Sequence, residues 1–252
     1  MQFLASQPVS IAKVMDISIK LYKAIFKKMI GYFLILAGFG IVSNFILHQL
    51  IPLQQANPGI TPSSAYIGLL FIYVFSFSLV SFIFYSALIY RMNNLVHQRD
   101  DSFSDGLKFG LKKLFPAFVG FIFYTIALIG GTILLVVPGI IVSLSMAFFL
   151  YFVVLDSLGG YASIRASHKL VWGHWWRTAT VFTIPSVIVF ILYFLLGGLA
   201  GFIGTNHKLA IDTIIQVISA FTTPFFISVA LVQFHDLKLR KSGSDLELRL
   251  AK

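Results

Sequence analysis

The sequence predicts an all-α polytopic membrane protein: six transmembrane helices as three hairpins, each preceded by an amphipathic helix at the cytoplasmic interface. Three observations predict it. The composition is too apolar for a water-facing domain, with 58% hydrophobic residues, 27 phenylalanines and only 11% charged residues, where a soluble domain carries about a quarter. Long stretches hold no formal charge at all. The cations are confined to the segments between alternate pairs of those stretches.

The charge-free stretches set the spans. A hydrocarbon core about 30 Å thick needs roughly 20 apolar residues per helix. Residues 29–90 carry no Lys, Arg, Asp or Glu. They hold spans over 29–50 and 66–90, joined by IPLQQANPGITPSSA, a segment rich in turn-forming residues. Leu114 to Leu155 is also charge-free. As one helix it would be about 63 Å long at 1.5 Å per residue, twice the membrane, so the chain must turn once within it. Pro138-Gly139 supplies residues suited to that turn, because proline interrupts the helical ladder and glycine accepts unusual dihedrals. The predicted spans are 114–137 and 139–158. Residues 178–235 give the last pair, 178–203 and 209–235, joined near GTNHKLAID. The whole chain, 1–252, reads as a single integral membrane domain.

Orientation follows from the basic residues. Lys13, Lys20, Lys23, Lys27 and Lys28 precede span 1. Arg91, Arg99, Lys108, Lys112 and Lys113 lie between spans 2 and 3. Arg165, Lys169 and Arg177 lie between spans 4 and 5, and Lys238, Arg240, Lys241, Arg249 and Lys252 follow span 6. Of the 19 cations only Lys208 falls on the other side. Both termini are therefore expected in the cytoplasm.

Each hairpin follows an amphipathic stretch. Lys13, Asp16, Lys20, Lys23 and Lys27 form one stripe at helical spacing, with Ile11, Val14, Ile17, Leu21 and Ile25 on another face. Asp105, Lys108 and Lys112 line up opposite Leu107, Leu111 and Leu114, after the helix-start residues Ser102 and Ser104. Arg165 and Lys169 stand one turn apart before VWGHWWR. Such helices should lie with their apolar face down and their cations toward anionic headgroups. At the tail, Gly243 reads as a helix stop, and Ser244 with Glu247 as a capping box for a short final helix.

The candidate contacts to lipid or to a partner are thus interfacial: Lys13, Lys20, Lys27, Arg165, Lys169, Trp172, Trp175, Trp176 and Arg177. The tryptophans suit an aromatic belt. A candidate intramembrane polar site is Gln216, Thr222 and Thr223, near Pro224 in span 6; Pro185 stands in span 5, and both prolines predict kinks. Asp156 closes span 4 and is expected to cap it or to pair with Arg165. Gly197 with Gly201, and Ala200 with Gly204, form a small-xxx-small face that a homo-oligomer could use.

Other chemistry is excluded. The absence of cysteine rules out disulfides and thiolate metal sites. The six histidines lack metal-ligand spacing, and no Walker loop, HExxH or GxSxG motif is present. No catalytic residue, metal or cofactor is predicted, and the net charge of +10 is accounted for by topology rather than by nucleic acid.

Four stretches together resemble a family of prokaryotic polytopic proteins described as the membrane domain of glycerophosphoryl diester phosphodiesterases, with stand-alone relatives of unknown role. IAKVMDISIKLYKAIF is similar to that family's opening, with Asp16 and Tyr22 in place. VVPGI and Asp156 resemble its central hairpin. Ser167, Leu170, Gly173, Trp175 and Trp176 fit its S-x-x-L-x-x-G-x-W-W pattern, and FHDLKLRKSGSDLE resembles its close. Phe234-His235 stands where two tyrosines are expected, Ser242 where glutamate is, and Ser244 where an aromatic is. The resemblance implies six spans in the inner membrane. It transfers no catalytic residues, because the phosphodiesterase barrel of fused members is a separate soluble domain.

The expected role is a non-enzymatic scaffold or accessory protein whose interfacial helices engage anionic lipid or a protein partner. The alternative is a small transporter or lipid-translocating protein working through the kinked spans 5 and 6. A lipid-headgroup enzyme would require Asp156, His168 and His174 to converge in one polar cavity.

Overall fold

The computed structural model describes residues 4–55, 64–203 and 208–250. The described residues are helical apart from the segment before α1 and short connections, and six helices are long and apolar enough to cross a membrane. This is a polytopic all-α membrane protein. The helices are α1 (Ile11–Gln55), α2 (Ser64–Val96), α3 (Phe103–Leu134), α4 (Val136–Ser145), α5 (Phe149–Leu155), α6 (Gly160–Val171), α7 (Trp175–Ile203) and α8 (Lys208–Leu250). Spans 1, 2, 5 and 6 fall in α1, α2, α7 and α8, and span 4 is shared by α4 and α5. Residues 56–63 and 204–207, at the centres of the two expected outer loops, lie outside the described residues.

The amphipathic stretches meet different fates. In α1 and α3 they are the opening turns of the same continuous helix that forms the span. Only α6 stands apart, because the chain turns at Trp172-Gly173-His174, where Gly173 adopts φ +90, a conformation that only glycine takes without strain. The start of α3 follows its sequence signal: Ser102 caps Asp105, and the Asp105 carboxylate returns to the Ser102 amide. The tail does not. α8 runs through Gly243 to Leu250, since one glycine in a helix interior costs only about 1 kcal/mol and the flanking Leu, Lys, Arg and Glu favour continuation.

The central hairpin turns three residues earlier than its Pro-Gly pair. α3 ends at Leu134, Leu135 is extended (φ −173), and α4 begins at Val136. Proline explains this position. Its ring collides with the carbonyl four residues back, which is Leu134, so α3 must stop there. Pro138 then occupies the third position of α4, where an amide N–H would have no helical partner anyway. The 114–137 and 139–158 bounds therefore shift to Phe103–Leu134 and Val136–Leu155.

Packing does not follow the hairpins throughout. α3 pairs with α4 and α7 with α8, but α1 lies mainly along α8 and α2 along α3. The apolar face of the first amphipathic stretch drives this: Val14, Leu21, Ile25 and Met29 are buried in one cluster with Val229, Leu231, Val232 and Leu237 of α8. Outward, Leu34, Val42, Phe71, Ile72, Phe190 and Phe194 are exposed, as a lipid-facing surface requires. Span 4 is broken between α4 and α5. Ser167 of α6 repairs the break, accepting from the Phe148 amide at 3.0 Å and donating to the Ser145 carbonyl at 2.9 Å. α6 reaches this depth because Gly160 lets it press on α3: a Cβ there would sit 2.6 Å from the Gly120 amide nitrogen.

Candidate functional site

Among the described residues, three clusters of charged groups join the segment before α1, the α2–α3 connection and the end of α5 to their neighbours. In the first, Asp236 of α8 accepts from the Val9 amide at 2.8 Å, from Arg177 Nε at 3.0 Å and from Arg240 Nε at 2.8 Å. The Val9 carbonyl accepts from the same two guanidiniums, at 2.6 and 2.8 Å. The peptide at Val9 is thus clamped on both sides, and the segment before α1 is pinned to α7 and α8. His235 extends the hold by donating from Nε2 to the Ala5 carbonyl at 3.0 Å.

The second cluster joins α1, α2 and the start of α3. Arg91, buried, pairs with Asp101 at 3.1 Å, donates to the Lys28 carbonyl at 3.2 Å and packs 5.5 Å from the centre of the Tyr32 ring. The Tyr32 hydroxyl donates to the Phe103 carbonyl at 2.7 Å. The amphipathic part of α1 therefore stretches from one ion cluster, at Val9, to the other, at Lys28.

The third lines a polar chamber of about 320 Å³. Asn93 comes from the last turn of α2, His97 and Arg99 from the turn that follows it, Asp156 from the end of α5, and His235 and Lys238 from α8. Lys238 Nζ reaches both Asp156 oxygens, at 2.8 and 2.6 Å, and sits 4.6 Å from the Phe234 ring centre. Asp156 thus pairs with Lys238 rather than with Arg165. His97 and His235 share its chamber, while His168 stands exposed on the outer face of α6 beside Trp172. His174 is half-buried, and its imidazole is held below the usual range by burial, with Lys241, Arg240 and Arg177 adding to the effect. The constellation of Asp156, His168 and His174 does not line this chamber.

One turn along the same helices lies an apolar cleft of about 430 Å³, walled by Phe82, Tyr85, Phe121, Tyr124, Phe149, Tyr151 and Thr223 among others. Both volumes fall within or near the range of ligand pockets.

The interfacial candidates divide. Lys13, Lys20, Lys27, Arg165 and Lys169 are exposed, as are Trp172 and Trp176, at 62% and 79%. Lys13 and Lys20 flank Asp16 at 3.2 and 3.0 Å. Arg177 instead belongs to the Val9 clamp, and Trp175 packs against the core with its indole nitrogen buried. The intramembrane candidates do not converge. The Gln216 side chain lies against Gly40 of α1. Thr222 neighbours Tyr193 of α7 at 3.5 Å, and Thr223 lines the cleft while donating to its own Ser219 carbonyl. A Cβ on Gly197 would meet nothing within 4 Å among the described residues; Gly204 lies outside them.

Sequence reasoning missed Asp236, Arg91, Asp101 and the chamber. Each acid sits close to an interface where a solvated charge was equally plausible. The one available signal was the FHDL segment of the resemblance. Three of the residues between spans 4 and 5 have plain structural roles: Ser167 mends span 4, Leu170 is buried, and Gly173 turns α6 into α7. Comparison with known protein families, with curated proteins and with solved structures finds no match to this chain.

Proposed function

We propose that this is a non-enzymatic accessory protein of a prokaryotic inner membrane, with both termini in the cytoplasm, whose basic face engages anionic lipid headgroups. One observation carries the reading. Lys13, Lys20, Lys27, Arg165 and Lys169 stay exposed together with Trp172 and Trp176, while the cations that serve packing, Arg91 and Arg177, are drawn into buried pairs. Cations that reach toward a headgroup layer, flanked by exposed indoles, suit an anionic leaflet.

Reconstitution of the full chain in nanodiscs, with and without phosphatidylglycerol, tests this. Native mass spectrometry should find phosphatidylglycerol retained over phosphatidylcholine, and changing the five exposed cations to Gln should abolish the preference. An unchanged lipid profile would refute it. Orientation is tested separately: the chain has no cysteine, so single cysteines at Ser6 and Ser242 should label only from the cytoplasmic side.

A second reading, a lipid translocator or small transporter, is favoured by the apolar cleft between α2, α3, α5 and α8. It places Thr223 in the path and leaves Gln216 and Thr222 outside it. Thr223→Val should then slow transport while Gln216→Leu does not; equal effects would refute a path through the cleft.

A further inference from the structure

We propose that the chamber between the ends of α2, α5 and α8 binds one phosphate-ester anion, and that this is the headgroup of a membrane lipid whose chains occupy the cleft beneath it. The site is distinct from the exposed basic face and does not depend on it.

The chemistry of the lining points to an anion. The lining holds two basic side chains, Arg99 and Lys238, and a single carboxylate, Asp156, an excess of one positive charge. Lys238 is already oriented, its ammonium held by Asp156 and by the Phe234 ring. The Arg99 side chain makes no hydrogen bond or ion pair among the described residues, which leaves its fork of donors for a bidentate oxyanion. His97 donates from Nδ1 to the Asn93 carbonyl at 2.8 Å, leaving Nε2 unused. His97, Arg99 and Asp156 are solvent-exposed where they line the chamber, so an anion can reach them from the aqueous side.

The backbone supports the same assignment. Only two described non-glycine residues have positive φ, Gln98 and Ser157, both at 55°. Gln98 directly precedes Arg99, and Ser157 directly follows Asp156. At the first, the Arg99 amide reaches back to the Asn94 carbonyl at 2.9 Å and the Gln98 amide to the Leu95 carbonyl at 3.2 Å, a helix ending normally given to glycine. Strained conformations of this kind collect where a side chain must be placed for a ligand, and here both sit beside chamber residues from different helices.

Position identifies the ligand as an amphiphile. Ile89, Tyr151 and Ala230 line the apolar cleft; Asn93, Leu155 and Phe234, about one turn further along the same helices, line the chamber. The polar chamber and the apolar cleft thus draw on the same three helices, about one turn apart along each.

The test uses purified full-chain protein in a neutral detergent with three probes: dihexanoyl phosphatidate, inorganic phosphate and dihexanoyl phosphatidylcholine. Phosphatidate should bind saturably, one per chain. Arg99→Gln should weaken it about tenfold, the scale of one charge-assisted hydrogen bond. Asp156→Asn, which frees Lys238 from its competing carboxylate, should strengthen it several-fold. Lys13→Gln with Lys20→Gln should leave it unchanged, separating this site from the basic face. If inorganic phosphate binds as tightly, with the same response to both chamber variants, the anion site stands and its ligand is a free phosphate. Binding of phosphatidate or phosphate that ignores both Arg99→Gln and Asp156→Asn, phosphatidylcholine binding as tightly as phosphatidate, or no binding at all, overturns the proposal.

Discussion

Replacing Asp236 by Ala removes the acceptor at the centre of the Val9 clamp. Its side chain is 3% exposed and takes three charge-assisted hydrogen bonds, from the Val9 amide, Arg177 and Arg240. Each such bond contributes roughly 1.5–3 kcal/mol, but the loss is less than their sum. Arg177 and Arg240 keep 15% and 26% exposure, so both guanidiniums can regain water and both still hold the Val9 carbonyl. The Val9 amide and the two repelling cations remain. Breaking a buried pair one-sidedly costs about 3–5 kcal/mol, and the partial exposure places this case at about 3 kcal/mol. Reversible unfolding in mixed micelles of rising dodecyl sulfate fraction would measure it. The double variant Arg177→Met, Asp236→Leu should cost less than the sum of its single changes, because it removes the unpaired charge as well. Limited proteolysis should show the 4–9 segment released in Asp236→Ala alone. A loss under about 0.5 kcal/mol, with the N-terminal segment still protected, would refute the clamp and make this ion triad a surface pair.

Three other predictions follow from local geometry. Ser167→Ala leaves the Phe148 amide and the Ser145 carbonyl without their bridge inside a buried helix break; the same unfolding assay should show a loss of about 1–3 kcal/mol, and a neutral result would mean the break closes without α6. Gly160→Ala forces a methyl into the Gly120 backbone and should destabilise by about 1–3 kcal/mol, whereas Gly159→Ala, which meets nothing within 4 Å, should change little. His174 resists protonation because of its burial and the neighbouring Lys241, Arg240 and Arg177. The unfolded chain takes up that proton at higher pH than the folded one, so stability should decline as pH falls below about 6.5 and level off once the folded imidazole is also charged. Stability curves of His174→Gln should lack that part of the slope; an unchanged slope would show that His174 does not carry it.

Legibility of the fold varied with how many atoms enforced each feature. The α3–α4 turn was placed at Pro138-Gly139 because the breaking residue is visible, yet its effect falls one turn upstream, on the Leu134 carbonyl. The amphipathic stretch at 11–28 was recognised from its spacing, but its partner was not. Its apolar face fits a membrane surface and a neighbouring helix equally well, and α8 takes it. Gly243 looked like a stop, although a glycine stops a helix only when the next residues gain by leaving it. For the candidate site, exposed cations such as Arg165 and Lys169 were readable because nothing competes for them. Arg177 was grouped with them because its acceptor lies 59 residues away, at Asp236.

The linear order of residues alone determined that the chain has six helices long and apolar enough to cross a membrane, and it set the expectation that 18 of the 19 cations face one compartment. Those properties come from transfer between water and hydrocarbon, a sum over individual side chains that needs no partner. Which acid meets which base, where span 4 breaks and how Ser167 mends it, and that Arg99, Asp156 and Lys238 share one chamber were decided only by helices packing side by side. Pairing depends on distances between groups far apart in the chain, and neither charge nor periodicity along the chain contains those distances.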